Sequence, residues 1–378
     1  MFSFSRENTS LAARWWRNGD KQILFLFIFL FLLGLFFSFS STTSVISEKM
    51  YKETYFFFIK HLFFVSISLF LLIAISIQKK KKLVKFLIYL FFVSIALLFL
   101  TLVVGAEVKG SKRWIDFPLS SIRFQPVELV KPLFIIFVAK IIVSNEKTNI
   151  YGRYLYSFLI LLFIVIILIN QPDLGQTLLL TSAWIAMIFV SGFNMAILLI
   201  LSLGFIGIIT FLIFFFPEKF GYVLLRFKTF IDPKTGDNFQ SQKALDAIKQ
   251  GGLTGQGMGE GILKDKVPEA HTDYIVAVIS EEFGAIFVLF IVIIFLFIGY
   301  KVLNKVFLER DEFLKLALIG LVSLLIIQTF IHIGVNTRLL PTTGMTLPFL
   351  SYGGSSLIGS SIIAGIILNF TRKDSIRY

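Results

Sequence analysis

Two carboxylates, an imidazole and a hydroxyl stand within the seven residues Pro268-Glu269-Ala270-His271-Thr272-Asp273-Tyr274, the densest set of proton-handling groups in the chain. A carboxylate at the start of an apolar helix can act as a general base, or it can simply cap the helix. The cap would account for Asp273 and leave Glu269 and His271 unexplained. Glu281 and Glu282 follow on the same stretch, roughly 12–13 Å further along at 1.5 Å per residue, where partnership with a neighbouring cation is expected. Glu128 and Lys131 are three apart and so share a helix face, as an internal ion pair or as a ligand site. Asp173, in Gln171-Pro172-Asp173-Leu174-Gly175, can cap a helix or take part in chemistry. Gln328, His332 and Asn336 recur every four residues and must line a face turned into a bundle; with no second histidine nearby, His332 is not read as a metal ligand. The absence of cysteine excludes disulfides, thiolate zinc sites and cysteine nucleophiles.

The elements that carry these groups are apolar. Of 378 residues 56% are hydrophobic and only 16% charged, and the mean hydropathy of +0.85 excludes an ordinary soluble enzyme. At roughly 20 apolar residues per span, composition allows on the order of ten spans. Ten runs are legible: 22–40, 54–78, 83–105, 126–144, 154–171, 174–191, 195–216, 273–300, 313–337 and 351–370. The expectation is an all-α integral membrane protein of ten transmembrane helices, with a polar segment at 1–21, a membrane domain over 22–370 and a tail at 371–378. The first run lacks a small-residue cleavage site and is expected to be a retained helix, with Trp15 and Trp16 as an interfacial anchor before it.

Cations set the orientation. Lys79, Lys80, Lys81, Lys82 and Lys85, then Lys301, Lys305, Arg310 and Lys315, then Arg372, Lys373 and Arg377 all fall on the N-terminal side of a ten-span chain. By the positive-inside rule that side is cytoplasmic, with both termini there. The net charge of +13 is thus read as topology, and no nucleic-acid partner is expected. The long segment 217–272, between helices seven and eight, then lies outside. It carries Arg226, Lys228, Asp232, Pro233 and Gly236, a polar helical stretch from Gln240 to Ile248, and a glycine-rich run over 251–261. Those glycines read as a flexible lid or, more weakly, as a phosphate cradle, since their spacing is no Walker motif and no strand precedes them.

Several motifs in order carry a resemblance. The run from Pro268 to Ile275 with Ser280-Glu281-Glu282, the segment Gly110-Ser111-Lys112-Arg113-Trp114-Ile115, the run Gln125-Pro126-Val127-Glu128-Leu129-Val130-Lys131, the Gln-Pro-Asp-Leu-Gly turn, and Leu347 to Ser356 together resemble the SEDS family (shape, elongation, division and sporulation). The likeness runs from about residue 20 to 372, and the Pro-Glu-Ala-His-Thr-Asp form is more like the division branch than the elongation branch, which typically has Arg at the Ala270 position.

The resemblance implies a ten-span peptidoglycan glycosyltransferase that polymerises lipid II outside the bacterial inner membrane, at the septum. It implies a divalent metal, Mg or Mn, whose ligands the sequence does not reveal, and a class B penicillin-binding protein as partner besides other division proteins. Carried over by position, Asp273 matches the family's essential aspartate, and Arg113, Glu128, Lys131 and Asp173 match polar residues of its central cavity. Glu269 and His271 flank the aspartate as substrate-binding residues. Thr343 stands where division members often carry Lys, and Arg338 is expected to restore that cation near the cavity mouth. Rival readings are a lipid II flippase, an elongation-type enzyme, and a scaffold for a transpeptidase. A transporter would place its essential charges near the midplane, often with inverted repeats, whereas this cluster lies at one face.

Overall fold

The computed structural model describes residues 10–42, 54–108, 111–116, 123–144, 149–194, 217–231 and 239–373, with scattered positions in 195–216. In chain order they form α1 (Leu11–Asn18), α2 (Lys21–Thr42), α3 (Thr54–Ile77), α4 (Lys80–Val104), β1 (Ala106–Val108), β2 (Ser111–Asp116), β3 (Arg123–Phe124), α5 (Val127–Ile142), α6 (Ile150–Asn170), α7 (Leu174–Val190), α8 (Pro217–Ile231), α9 (Phe239–Gly251), α10 (Ile275–Leu308), α11 (Glu312–Asn336) and α12 (Gly354–Phe370). Each predicted apolar run except the seventh is therefore a helix among the described residues. Within 195–216 every described position is helical, and the rest of that run lies outside the described residues, as do Gly110, Asp232, Pro233, Gly236 and 374–378. Six helices, α2, α3, α4, α6, α10 and α11, are long and apolar enough to cross a membrane, and α7 and α12 are shorter apolar helices. The chain is a multi-pass membrane protein.

Helix α5 packs against α4, α6, α7, α11 and α12, which surround it. Most of its residues are accordingly buried, charged Glu128 and Lys131 among them. Around it α3 packs on α12, and α11 on both α7 and α10. At one end of the bundle the last turn of α12 is fastened to the end of α3. Asn369 Nδ2 donates to the carbonyls of Ile75, Ser76 and Gln78, and the Arg372 guanidinium donates to those of Ser76, Ile77 and Gln78. Lys373 N–H donates to the Asn18 carbonyl (3.1 Å), and Lys305 pairs with Asp20 at 3.2 Å. Cations here satisfy the orphan carbonyls of helix C-termini. At the opposite end three antiparallel strands, in the order β1-β2-β3, bridge α4 and α5. Hydropathy gave no sign of them, because so short a meander is set by pairing register rather than by composition.

The described residues of the segment 217–272 are folded rather than loose. They hold α8, α9 and a short 3-10 turn, Lys264–Lys266, and their glycine run is clasped to α10. That helix breaks at Gly284, whose φ is +82°, and the break frees backbone groups. Ala285 N–H donates to the Gly252 carbonyl (2.9 Å), while Gln256 and Gly257 N–H donate to the carbonyls of Glu281 (2.8 Å) and Glu282 (3.0 Å). A Cβ on Gly251 would overlap the Ser280 carbonyl, and one on Gly255 that of Glu282. The glycines therefore let two backbones approach closely, which replaces both the lid and the cradle expected from sequence. Side chains complete the clasp: Glu281 accepts from Leu263 N–H (2.7 Å) and Lys264 N–H (2.6 Å). Glu282 pairs with the buried Lys264 ammonium and accepts from the Ser40 hydroxyl, so its cation partner comes from the loop itself.

Candidate active site

Residues 337–353, between α11 and α12, fold back over the end of the bundle opposite the basic one. The polar face of α11 holds this return loop from beneath. Gln328 Nε2 donates to the Thr346 carbonyl (2.9 Å), His332 Nδ1 meets the Met345 carbonyl (2.8 Å), and Asn336 Nδ2 donates to the Asp273 carbonyl (3.0 Å). The expected inward face is thus filled by main chain. The loop in turn grips the 269–274 turn, because Ser351 Oγ donates to the Thr272 carbonyl (2.7 Å) and Tyr352 N–H to that of His271 (2.9 Å). Helix α10 takes Tyr274 as its N-cap residue, so capping does not explain Asp273, which lies one residue earlier and is half-buried.

Gly344 borders the charged groups of the site. With φ at +70°, its position accepts glycine readily, and a Cβ there would lie 3.6 Å from Asp273 Oδ2 and 3.8 Å from Arg113 Nη1. The Asp273 carboxylate and the Arg113 guanidinium therefore border one point from two elements, the turn before α10 and strand β2. Arg113 is fixed in place: Nε donates to the Gln171 carbonyl (3.1 Å), Nη2 donates to the Pro172 carbonyl, and the side chain pairs with Asp173 at 3.5 Å. Asp173 fills the expected capping role as well, accepting from Gln176 N–H (3.4 Å) at the start of α7. Burial pushes its carboxyl above the usual aspartate range, with Arg113 pulling the other way.

Deeper in, a polar chain crosses the bundle. Gln176 Nε2 donates to Glu128 Oε1 (3.0 Å), Glu128 Oε2 pairs with Lys131 Nζ (2.8 Å), and Lys131 donates to Gln328 Oε1 (3.1 Å). Helices α7, α5 and α11 are thereby linked, and Gln328 passes the link on to the return loop. The ion-pair reading of Glu128 and Lys131 holds in this geometry.

One residue falls differently from the sequence reading. Arg338, with φ at +56°, turns toward α9 and donates to Gln242 Oε1 (2.7 Å). Thr343 is buried, its Cβ lying where a Cβ on Gly175 would come within 2.8 Å. The cation beside this loop is Arg226 of α8, whose Nη1 donates to the Thr342 carbonyl (3.3 Å). Sequence gave Arg226 no role. Its only signal was an arginine in an amphipathic stretch of the long loop. Glu269 accepts from the Thr272 hydroxyl within its own turn (3.1 Å), whereas the His271 ring lies 5.7 Å from that of Phe57 on α3. Among the described residues no three His, Asp or Glu side chains come together as a metal site.

A helical bundle with a carboxylate and an arginine brought together at one end defines a polytopic membrane protein with a polar site at one face. The family model for the FtsW, RodA and SpoVE cell cycle proteins matches residues 21–376. A probable peptidoglycan glycosyltransferase FtsW of Caulobacter vibrioides is 32% identical over 371 residues, 98% of this chain and 94% of the relative. One of Francisella salina is 34% identical over 340 residues, 87% and 83% of the two chains. Among solved structures, a chain of a peptidoglycan synthase complex that coordinates polymerization and crosslinking superposes with a TM-score of 0.76 at 24% identity, covering 93% of this chain and 97% of that one. The rod shape determining protein RodA of Thermus thermophilus superposes with a TM-score of 0.68 at 24% identity, covering 94% and 97%. The chain belongs to the FtsW/RodA/SpoVE family of cell cycle proteins.

Proposed function

We propose that this protein is a peptidoglycan glycosyltransferase that polymerises lipid II into β-1,4 glycan on the outer face of the bacterial inner membrane, during septal synthesis in cell division. The relatives named as glycosyltransferases support the activity. The observation that carries the mechanism is the approach of the Asp273 carboxylate and the Arg113 guanidinium to one point beside Gly344, 3.6 and 3.8 Å from where a Cβ on that residue would stand. In this reading Asp273 takes the proton from the 4-hydroxyl of the acceptor sugar as that oxygen attacks the donor's anomeric carbon. The bond from that carbon to the lipid pyrophosphate breaks, and the leaving group departs with both electrons toward positive charge supplied by Arg113, with Lys131 in reserve behind it. Glu128 and Asp173 hold those two cations, and Glu269 and His271 complete the substrate-binding set, while Arg338, bonded to Gln242, stands outside it.

Ten spans with both termini cytoplasmic fit this reading, and so does the gathering of cations at the end of the bundle away from Asp273. A class B penicillin-binding protein is the proposed partner, because a polymerase of this kind needs a transpeptidase to cross-link its product. The divalent ion implied by the resemblance, Mg2+ or Mn2+, finds no protein ligand set among the described residues, and no step runs through it. Such ions are commonly held by one or two carboxylates together with substrate phosphates, so in this reading it belongs with the substrate.

The deciding experiment gives purified protein, its partner transpeptidase and labelled lipid II a direct comparison of wild type with Asp273→Ala. Loss of a general base is expected to cut glycan synthesis by roughly a hundredfold or more, with folding and partner binding retained. Equal glycan from both would sink the assignment and favour a scaffold. Lipid II crossing vesicles without glycan formation would favour a flippase.

A further inference from the structure

Arg226 has no carboxylate within ion-pairing distance among the described residues, although it is half-buried beside a charged site. Its guanidinium donates to a neutral carbonyl, that of Thr342, and its guanidinium carbon stands 5.9 Å from the centre of the Tyr222 ring. Tyr222 is itself held by a bond to the Ile169 carbonyl (3.4 Å). The two residues after Thr342 place the site: Thr343 packs over Gly175, and Gly344 borders both Arg113 and Asp273. One tripeptide therefore touches Arg226 at its start and Arg113 with Asp273 at its end. The charges of the two arginines are felt at each other's positions. Burial foremost and Arg113 after it lower the basicity of Arg226, while burial raises the Tyr222 hydroxyl to about 12 against the pull of both arginines.

Two guanidiniums facing one loop repel each other and are left with donors to spare. Asp173 cannot neutralise both, since its 3.5 Å partner is Arg113. Such an arrangement is relieved by a dianion set between the arginines, and guanidinium forks match phosphate oxygens in geometry as well as charge. We infer that Arg226 and Arg113 together form the binding site for a diphosphate group, with the Thr342–Gly344 main chain as its floor. This deepens the glycosyltransferase reading, on which it rests for the source of the diphosphate: the lipid-linked pyrophosphate of the donor. Arg226 is then a substrate-binding residue contributed by α8, and a cation from this helix supplies what Arg338, bonded to Gln242, does not.

The test is a binding measurement that needs no polymerisation. Wild type, Arg226→Gln, Arg226→Lys and Asp273→Asn are placed in nanodiscs and titrated with undecaprenyl pyrophosphate, inorganic pyrophosphate and undecaprenol. Glutamine keeps a donor for the Thr342 carbonyl while removing the charge, which separates anion binding from loop tethering. Arg226→Gln is expected to weaken both diphosphates by roughly ten- to a hundredfold, with Arg226→Lys recovering part of the loss and undecaprenol bound equally by all. Tighter binding of the lipid diphosphate than of the inorganic one assigns the site to the membrane-borne ligand; equal binding assigns it to the diphosphate alone, and both outcomes support the inference. Unchanged diphosphate affinity in Arg226→Gln, or a parallel loss of undecaprenol, overturns it. Asp273→Asn should retain binding. If wild type binds diphosphate through Arg226 yet makes no glycan, the glycosyltransferase reading fails while this site stands.

Discussion

Lys131 and Glu128 retain only 2% and 4% of their side-chain exposure, and a buried pair of this kind costs more to break than it adds when made. Lys131→Met leaves Glu128 charged or forces it to take a proton, and should destabilise by about 3–5 kcal/mol. Thermal unfolding in detergent measures this, and the double change Glu128→Leu with Lys131→Met should recover a large part of the loss. Asp173 gives a pH signature with a definite sign. Because burial raises its folded pKa, the folded protein binds this proton more tightly than the unfolded chain. Its contribution to stability is fully present below the unfolded value of about 3.9 and is lost as pH rises through the raised folded value. The melting temperature of wild type relative to Asp173→Asn should therefore climb as pH is lowered through that value and stay level above it. A flat difference across the range would contradict the shift. At this scale the sequence was informative wherever spacing alone decides contact, as for the i, i+3 pair. It could not find Arg226, whose partners Thr342 and Arg113 are more than a hundred residues away and meet it only through the return loop.

Among the elements, the clasp between the glycine run and α10 depends on the absence of side chains. Gly251→Ala would drive a methyl into the Ser280 carbonyl, an overpacking expected to cost about 1–3 kcal/mol. Hydrogen exchange of Gln256, Gly257, Gly259 and Leu263 should rise with it, because the first two amides donate to the carbonyls of Glu281 and Glu282 and the other two to the carboxylates of Glu282 and Glu281. Gly221→Ala on α8, where a Cβ meets nothing within 4 Å, should hold or slightly raise the melting temperature. Similar losses from both would show that glycine flexibility, not close approach, is what matters. The apolar helices were legible because a membrane span writes itself as an unbroken run. The clasp and the strands were not, since both are made by backbone pairing between segments that carry no hydrophobic period.

Across the whole molecule, charge is divided between two ends of different construction. The basic end is fastened by Arg372, Asn369 and Lys305 onto carbonyls and a carboxylate, while the other end gathers Arg113, Arg226 and Asp273 around one loop. The cysteine-free sequence makes the orientation simple to test: single changes Lys81→Cys and Gln256→Cys should react with impermeant maleimide from opposite sides of the membrane, with Gln256→Cys reached from outside. Labelling of both from one side would overturn the ten-span topology. The cations give an expectation of orientation because their bias is compositional, whereas the return loop left no such trace, since its path is set by hydrogen bonds from α11. That loop hangs between two posts, α11 and α12, and its backbone meets Arg226 at Thr342 and borders Arg113 and Asp273 at Gly344. The spacing of those three charged groups is therefore gauged by the number of links between the posts rather than by what hangs from them. Thr342, whose side chain is exposed, is free to drift over generations, but a single inserted residue between Thr342 and Gly344 would put the whole machine out of calibration.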